Sequence, residues 1–124
     1  MFGWFARKRD KTKRLMPEAK WIVECEGGDV LRATDDKQNA KQLAKSDLTG
    51  VIVETNDSGP WGADVWWLFF GPDDRVAVAY PQGATGEDAM LNYLMALPGF
   101  DNEKMAEAMR STDNAVFPVW RRPQ

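Results

Sequence analysis

Residues 55–70 read TNDSGPWGADVWWLFF, and the fold turns on the last seven of them, DVWWLFF. A run of β-branched, aromatic and aliphatic side chains behind a Gly-Pro-Trp-Gly turn cluster reads as a strand. Neighbouring side chains of a strand point to opposite faces. Trp66, Leu68 and Phe70 therefore share one face, and Val65, Trp67 and Phe69 share the other. One face is expected to pack on helices, meeting Leu94, Leu97 and Met109. The other is equally apolar and also needs cover. A curled half-sheet from the N-terminal hairpin, a second copy of the chain, a partner protein and a ligand are the possible covers. Such a run has the β-propensity and low charge of an aggregating segment, and Asp64, Pro72, Asp73 and Asp74 flank it as gatekeepers.

Working outward, LTGVIVETN (48–56) is a β-branched strand before the turn cluster, and RVAVAYP (75–81) is the antiparallel partner after GPDD (71–74). Upstream, KWIVECEGGDVLRAT (20–34) reads as a hairpin turning at Gly27-Gly28. DDKQNAKQLAKSD (35–47) is polar and reads as a short helix capped at Asp36 or a loop. Downstream, ATGEDAMLNYLMAL (84–97) is a helix capped by Thr85 or Gly86, with Glu87 and Asp88 in its first turn. Its apolar stripe is Ala89, Met90, Tyr93, Leu94 and Leu97. A second, shorter helix runs from Asp101 to about Arg110, burying Met105, Ala108 and Met109. AVFPVW (115–120) closes the chain as a strand. Pro118, with no N–H to donate, places it at an edge or a bulge. The pattern predicts an α+β fold: one antiparallel sheet of about five to six strands with two helices packed on one face.

The chain has 124 residues, enough for one domain with a core that needs no disulfide or metal. Six of its fourteen aromatic residues are Trp, which concentrates burial energy in a few large side chains. The net charge of −3 is unevenly spread. Residues 1–20 carry seven basic and two acidic side chains, net +5, and the rest carry nine against seventeen, net −8. The expected organisation is a flexible basic arm over 1–19, closed by Pro17, and a single α+β domain over 20–124. An acidic body repels a phosphate backbone, so nucleic-acid binding by the domain is not expected. Phe2, Trp4 and Phe5 ahead of the basic run could touch an anionic membrane, although so short a segment anchors weakly alone. No apolar run reaches the ~18 residues of a membrane span. With basic residues after the apolar ones, the N-terminus is ordered the wrong way for a secretory signal. A cytoplasmic location is expected.

Several chemistries are absent from the sequence. There is no His, which removes the commonest general base and metal ligand. One Cys excludes a disulfide framework and a zinc ligand set. Cys25 alternates with Glu24 and Glu26, whose charge raises a thiol pKa and argues against a nucleophile. Ser46, Ser58 and Ser111 have no His to activate them. Phosphate-binding glycine motifs and a calcium loop are missing. At PQGATGED (81–88) the acidic Glu87 and Asp88 already occupy the helix N-terminus. No cofactor and no metal site are expected.

The segments DLTGVIVETNDSGP (47–60), ADVWWLFF (63–70), PQGATGEDAMLNYL (81–94) and LPGFDNEKMAEAM (97–109) resemble, in this order, a group of small single-domain bacterial proteins of unassigned function. The resemblance spans about residues 20–120. It implies a cytosolic α+β domain of five to six strands and two helices, and it supplies no activity and no catalytic residue.

Three functional readings follow. The first is a non-enzymatic protein-interaction module, immunity-like or regulatory, contacting a protein or itself through an acidic, aromatic-rich surface. Its candidate binding residues are Trp61, Asp57, Asp64 and Trp120, Trp being enriched at binding hot spots. The second is an enzyme working on a small molecule through loop carboxylates, Glu54, Asp57 and Asp64, of which burial would have to split the pKa values. The third is an adaptor held at a membrane by the basic arm.

Overall fold

The computed structural model describes residues 20–56, 65–111 and 114–123. Seven strands and two helices follow in the order β1 (Ile22–Glu26), β2 (Val30–Thr34), β3 (Ala40–Ala44), β4 (Gly50–Thr55), β5 (Val65–Phe70), β6 (Val76–Pro81), α1 (Glu87–Met95), α2 (Asn102–Arg110) and β7 (Ala115–Arg121). All strand pairs are antiparallel. They form two sheets, β1-β2-β3 and β6-β5-β4-β7, rather than the single sheet of five to six strands expected from the sequence.

The extra strand is the polar segment after Thr34, where a helix capped at Asp36 or a loop is expected. Asp35 decides the outcome. Its carboxylate accepts the N–H groups of Lys37 at 2.8 Å and Asn39 at 2.9 Å, Gln38 takes a φ of 72°, and Asp35 N–H donates to Asn39 O at 2.9 Å. These bonds close a hairpin turn, and they hold the Asp35 carboxyl below the usual carboxylate range, the Asn39 N–H contributing most. The chain is thereby sent back along β2. Strand β3 can be polar because one of its faces meets water. Only Leu43 is buried, while Gln42 receives the Arg32 Nε–H at 3.1 Å. A 3-10 turn, Lys45–Asp47, then breaks the path and starts the second sheet. The hairpin of β1 and β2 forms as the sequence indicates, but its loop takes in Asp29 as well as Gly27 and Gly28, whose φ are 60° and 76°.

In the four-stranded sheet, register aligns Val51 with Phe69 and Phe69 with Val78, and it aligns Val53 with Trp67 and Trp67 with Tyr80. These side chains are buried and form the floor of the core. Tyr80 stacks on Trp67 (centroids 6.4 Å apart, 8° between planes) and meets Phe69 edge-on at 5.7 Å. Met90, Leu94, Leu97 and Phe100 cover this floor from the helical side, and Val23, Leu31, Ala33 and Leu43 from the three-stranded sheet. A fully buried aliphatic side chain is worth about 1.5–3 kcal/mol over an exposed one. Beside the floor, β7 is an edge strand and carries a bulge opposite Val51/Ile52. Val119 and Trp120 at the bulge are both buried, and the exposed Pro118 precedes them where no ladder donor is required.

Helix α1 packs on β1, and α2 packs on β7 and β4. Asp101 caps α2, accepting the Lys104 N–H at 2.9 Å. Ala108 is buried and Met105 partly so, but Met109 is 39% exposed and takes no place in the core expected for it. The α2 stripe is narrow because Met105 and Ala108, three apart, meet the sheet and the next position turns away. On α1, Met90 and Leu94 are buried, Tyr93 is half-buried and Ala89 is exposed.

The helix start is also where the two sheets are joined. Val23 N–H donates to Thr85 O at 2.9 Å, and Thr85 N–H donates to Trp21 O at 2.7 Å. Thr85 is thus spent on β1, and Gly86 is the N-cap with φ 91°. A Cβ on Gly86 would collide with the Val23 carbonyl oxygen. Glu87 reaches back to accept the Gly83 N–H at 2.9 Å.

Two stability predictions follow. Gly86→Ala combines a left-handed φ with a backbone clash, and should lower stability by about 2–4 kcal/mol in urea unfolding. For Glu87, burial raises the carboxyl pKa, with the neighbouring Asp88 adding to the rise and the Gly83 N–H opposing it. The folded chain therefore holds this proton more tightly than the unfolded chain. The resulting stability is present below the unfolded pKa of about 4.3 and is lost as pH rises through the raised folded value. Glu87→Gln, which keeps an acceptor for Gly83, should be the more stable protein at pH 7, with the difference shrinking toward pH 4. Urea titrations across that range check the sign.

Candidate functional site: an apolar sheet face

The two faces of the four-stranded sheet differ in their cover. Opposite the core, Ile52, Trp66, Leu68 and Ala79 are half-buried, and so is Phe70. Ile52 pairs with Leu68 and Leu68 with Ala79, so these three form one row across the sheet. Pro118, paired with Ile52, extends the row onto β7, and Val116, paired with Glu54, lies in the next row. Val116 is 58% exposed and Val76, beside Phe70 on β6, is 47% exposed. Glu54 and Arg121, which pairs with Gly50 in the row of Phe70, are ionisable residues on these rows.

The outer face of the three-stranded sheet is built oppositely. There Arg32 bonds Gln42 and pairs with Glu26 at 2.8 Å, and Glu24 is exposed. Water suits that face. Trp21 buttresses the apolar face, meeting Trp66 edge-on with centroids 5.6 Å apart and planes at 89°. From Trp21 a groove of ≈ 290 Å³ runs between the sheets, lined by Ala33, Asp35, Asn39 and Lys41 on one side and Val76, Ala77 and Ala79 on the other. It joins an apolar wall to a polar rim at the margin of the face.

Of the residues singled out from the sequence, Trp61, Asp57 and Asp64 lie outside the described residues. Trp120 belongs to the core: it is 7% exposed, its Nε1–H donates to Pro98 O at 2.8 Å, and Arg122 lies 5.7 Å over its ring. Glu54 is exposed on the outer face, and the other two carboxylates proposed to act with it lie outside the described residues. The residues that sequence reasoning did not name for the site are Trp21, Ile52, Val116 and Pro118. Strand alternation carries the signal for Ile52 and Val116. Nothing local marks Trp21.

Other reactive-looking groups have structural roles. The Cys25 thiol is pushed up, chiefly by burial and to a smaller degree by Asp29, while the Gly28 N–H and Lys45 act in the opposite direction. Burial also raises the Tyr80 phenol strongly, and Glu87 adds to it. A shallow hollow of ≈ 210 Å³ includes Thr49, Asp74, Arg121 and Arg122. Arg122 there clamps the chain, donating from Nε to Leu48 O and from Nη2 to Lys45 O, both at 2.8 Å. Among the described residues no group of three His, Cys, Asp or Glu is placed to hold a metal ion, and no helix is long and apolar enough to cross a membrane.

Compared with protein-family models, curated proteins and solved structures, the chain matches none of them.

Proposed function

We propose that this chain is a non-enzymatic protein-interaction module and that its binding surface is the outer face of the four-stranded sheet. The observation that carries the reading is the contiguous apolar face of Ile52, Leu68, Phe70, Trp66 and Val116, on a sheet whose opposite face already holds the core. Apolar patches of this kind on a folded chain mark interaction surfaces.

Magnitudes narrow the partner. Four strands at about 4.8 Å spacing and six residues at about 3.4 Å make a face of roughly 400 Å². A stable interface between globular proteins needs about 800 Å² per side. The face therefore suits a short segment that lays a few apolar side chains on it, in the manner of peptide recognition on sheets and grooves. The body beneath is acidic, net −8 beyond residue 20, so basic residues in the segment would be favoured. A cytoplasmic, bacterial setting is part of the proposal, and the lone Cys25 fits a reducing compartment.

The test is capture from bacterial cytosol by the full chain, with Val116→Glu as the face variant and Ala40→Glu, on the polar outer face of the other sheet, as the control. Both positions are exposed, so both variants should keep the wild-type circular dichroism. Proteins bound by the wild type should be held at least about 10-fold more weakly by Val116→Glu, the scale of desolvating one charge against an apolar partner, and unchanged by Ala40→Glu. Equal retention by Val116→Glu would remove the face as the interface.

A further inference from the structure

The chain carries, in its own first 19 residues, a segment of the composition this face selects. We propose that residues 1–19 dock in cis on the outer face of the four-stranded sheet and mask it until a partner segment competes. This rests on the face being a binding surface, as proposed above, but it does not require that an external partner exists.

Four observations lead to this occupant. The first is the point of entry. Residues 1–19 join the described structure at Lys20, immediately before Trp21, and Trp21 packs on Trp66 of the outer face. The segment is thus tethered at the margin of the face. The second is composition: Phe2, Trp4, Phe5, Leu15 and Met16 supply apolar side chains to a face whose own residues are Ile52, Trp66, Leu68 and Phe70. The third is charge. Residues 1–20 are net +5 and the rest of the chain −8, so the two attract, while on the face itself Glu54 and Arg121 offset each other.

The fourth observation is length. An extended chain reaches at most about 3.3–3.6 Å per residue, so 19 residues span some 60 Å. The four strands are about 14 Å apart from first to last. The segment can cross the sheet and still leave its basic run beyond the apolar rows.

The size of the face separates this occupant from a second copy of the chain. Roughly 400 Å² falls short of the ~800 Å² per partner that a stable bimolecular interface buries. Covalent linkage changes the requirement, because it presents the segment at an effective concentration on the order of millimolar. A contact too weak to hold two molecules together at micromolar concentration is then mostly formed within one. Masking has a measurable consequence: the apparent affinity for any competing segment falls by the fraction of time the face is open, about 10-fold if it is open one-tenth of the time.

The experiment uses the full chain carrying Cys25→Ser and Ala6→Cys, with a nitroxide on residue 6 and isotope-labelled Ile, Leu and Val methyl groups. Cys25→Ala replaces the serine variant if the latter unfolds. The nitroxide should attenuate the methyl signals of Ile52, Leu68 and Val116 far more than those of the core residue Leu31. At about 1 M salt, where the Debye length is about 3 Å, the attenuation should weaken. Trp4→Ser with Phe5→Ser in the same chain should abolish it. A mixture of nitroxide-bearing chains without isotope label and isotope-labelled chains without nitroxide should show none. Equal attenuation in the mixture would overturn the proposal in favour of a second copy, and uniform or absent attenuation would overturn it altogether. The two readings fail separately. A docked segment with partner capture indifferent to Val116→Glu leaves the masking and removes the external interface. Capture that depends on Val116 without preferential attenuation does the reverse.

Discussion

The structure hangs on the two-residue period of β5. Trp67 and Phe69 are committed to the core, where Tyr80 stacks on one and meets the other edge-on, and helical residues close over them. That commitment fixes the parity of every other strand in the sheet through register: Val51 and Val53 on β4 and Val78 and Tyr80 on β6 turn inward. It also sends Trp66, Leu68 and Phe70 the other way. A slip of one residue would exchange two sets of nearly equal hydrophobicity, so burial of β5 alone does not choose between them. The choice is made by the neighbours. Ile52 and Glu54 on β4 and Pro118 and Val116 on β7 suit a less buried face, whereas Val51, Val53 and Thr55 suit a closed one.

The same logic explains why the first hairpin leaves the second face only partly covered. Its sheet is joined to the helix start by Val23 and Thr85 and by the close approach of Gly86 to the Val23 carbonyl. Those bonds put Val23, Leu31, Ala33 and Leu43 on the core side, and the opposite face of that sheet carries Arg32, Glu26 and Gln42. A sheet with one polar face cannot cover two apolar ones. From the described part of that sheet, Trp21, just before β1, extends to Trp66.

Much of the fold was legible because it is written in local signals. The glycine turn of the first hairpin, the aromatic strand, the helix over 84–97 and the restriction on Pro118 are each settled within a few residues. What was not legible depends on distant partners. Strand β3 has too little apolar content to announce itself; it exists because Asp35 folds a turn and β2 offers an open edge. The division into two sheets is a matter of where β6 ends and where Thr85 finds a donor. Met109 looks like a core residue by spacing alone, yet Ala108 takes the buried position beside it and Met109 stays at the surface. For the site, alternation separated the two faces of β5, but only three-dimensional neighbours show which is core. Trp120 illustrates the converse error of composition. Trp is enriched at binding hot spots, whereas the bulge beside Val51 turns Trp120 inward and Pro98 satisfies its N–H.

An apolar face of this size is a liability as well as an opportunity, and its surroundings show both. Pro118 denies a ladder donor to the β7 edge, and the exposed Pro72, Asp73 and Asp74 place chain-breaking and charged residues at the end of β5. These devices act along the strand edges and against edge-to-edge growth. They do nothing for the face itself, which can be quieted only by something lying on it. A permanent cover would be selected as more core, with large apolar residues on a structured element. A removable cover calls for a modest apolar contribution on a tether, held in part by charge so that competition or ionic conditions can release it. Residues 1–19, with apolar side chains near the start and after a basic run, opposite an acidic body, have the second composition rather than the first.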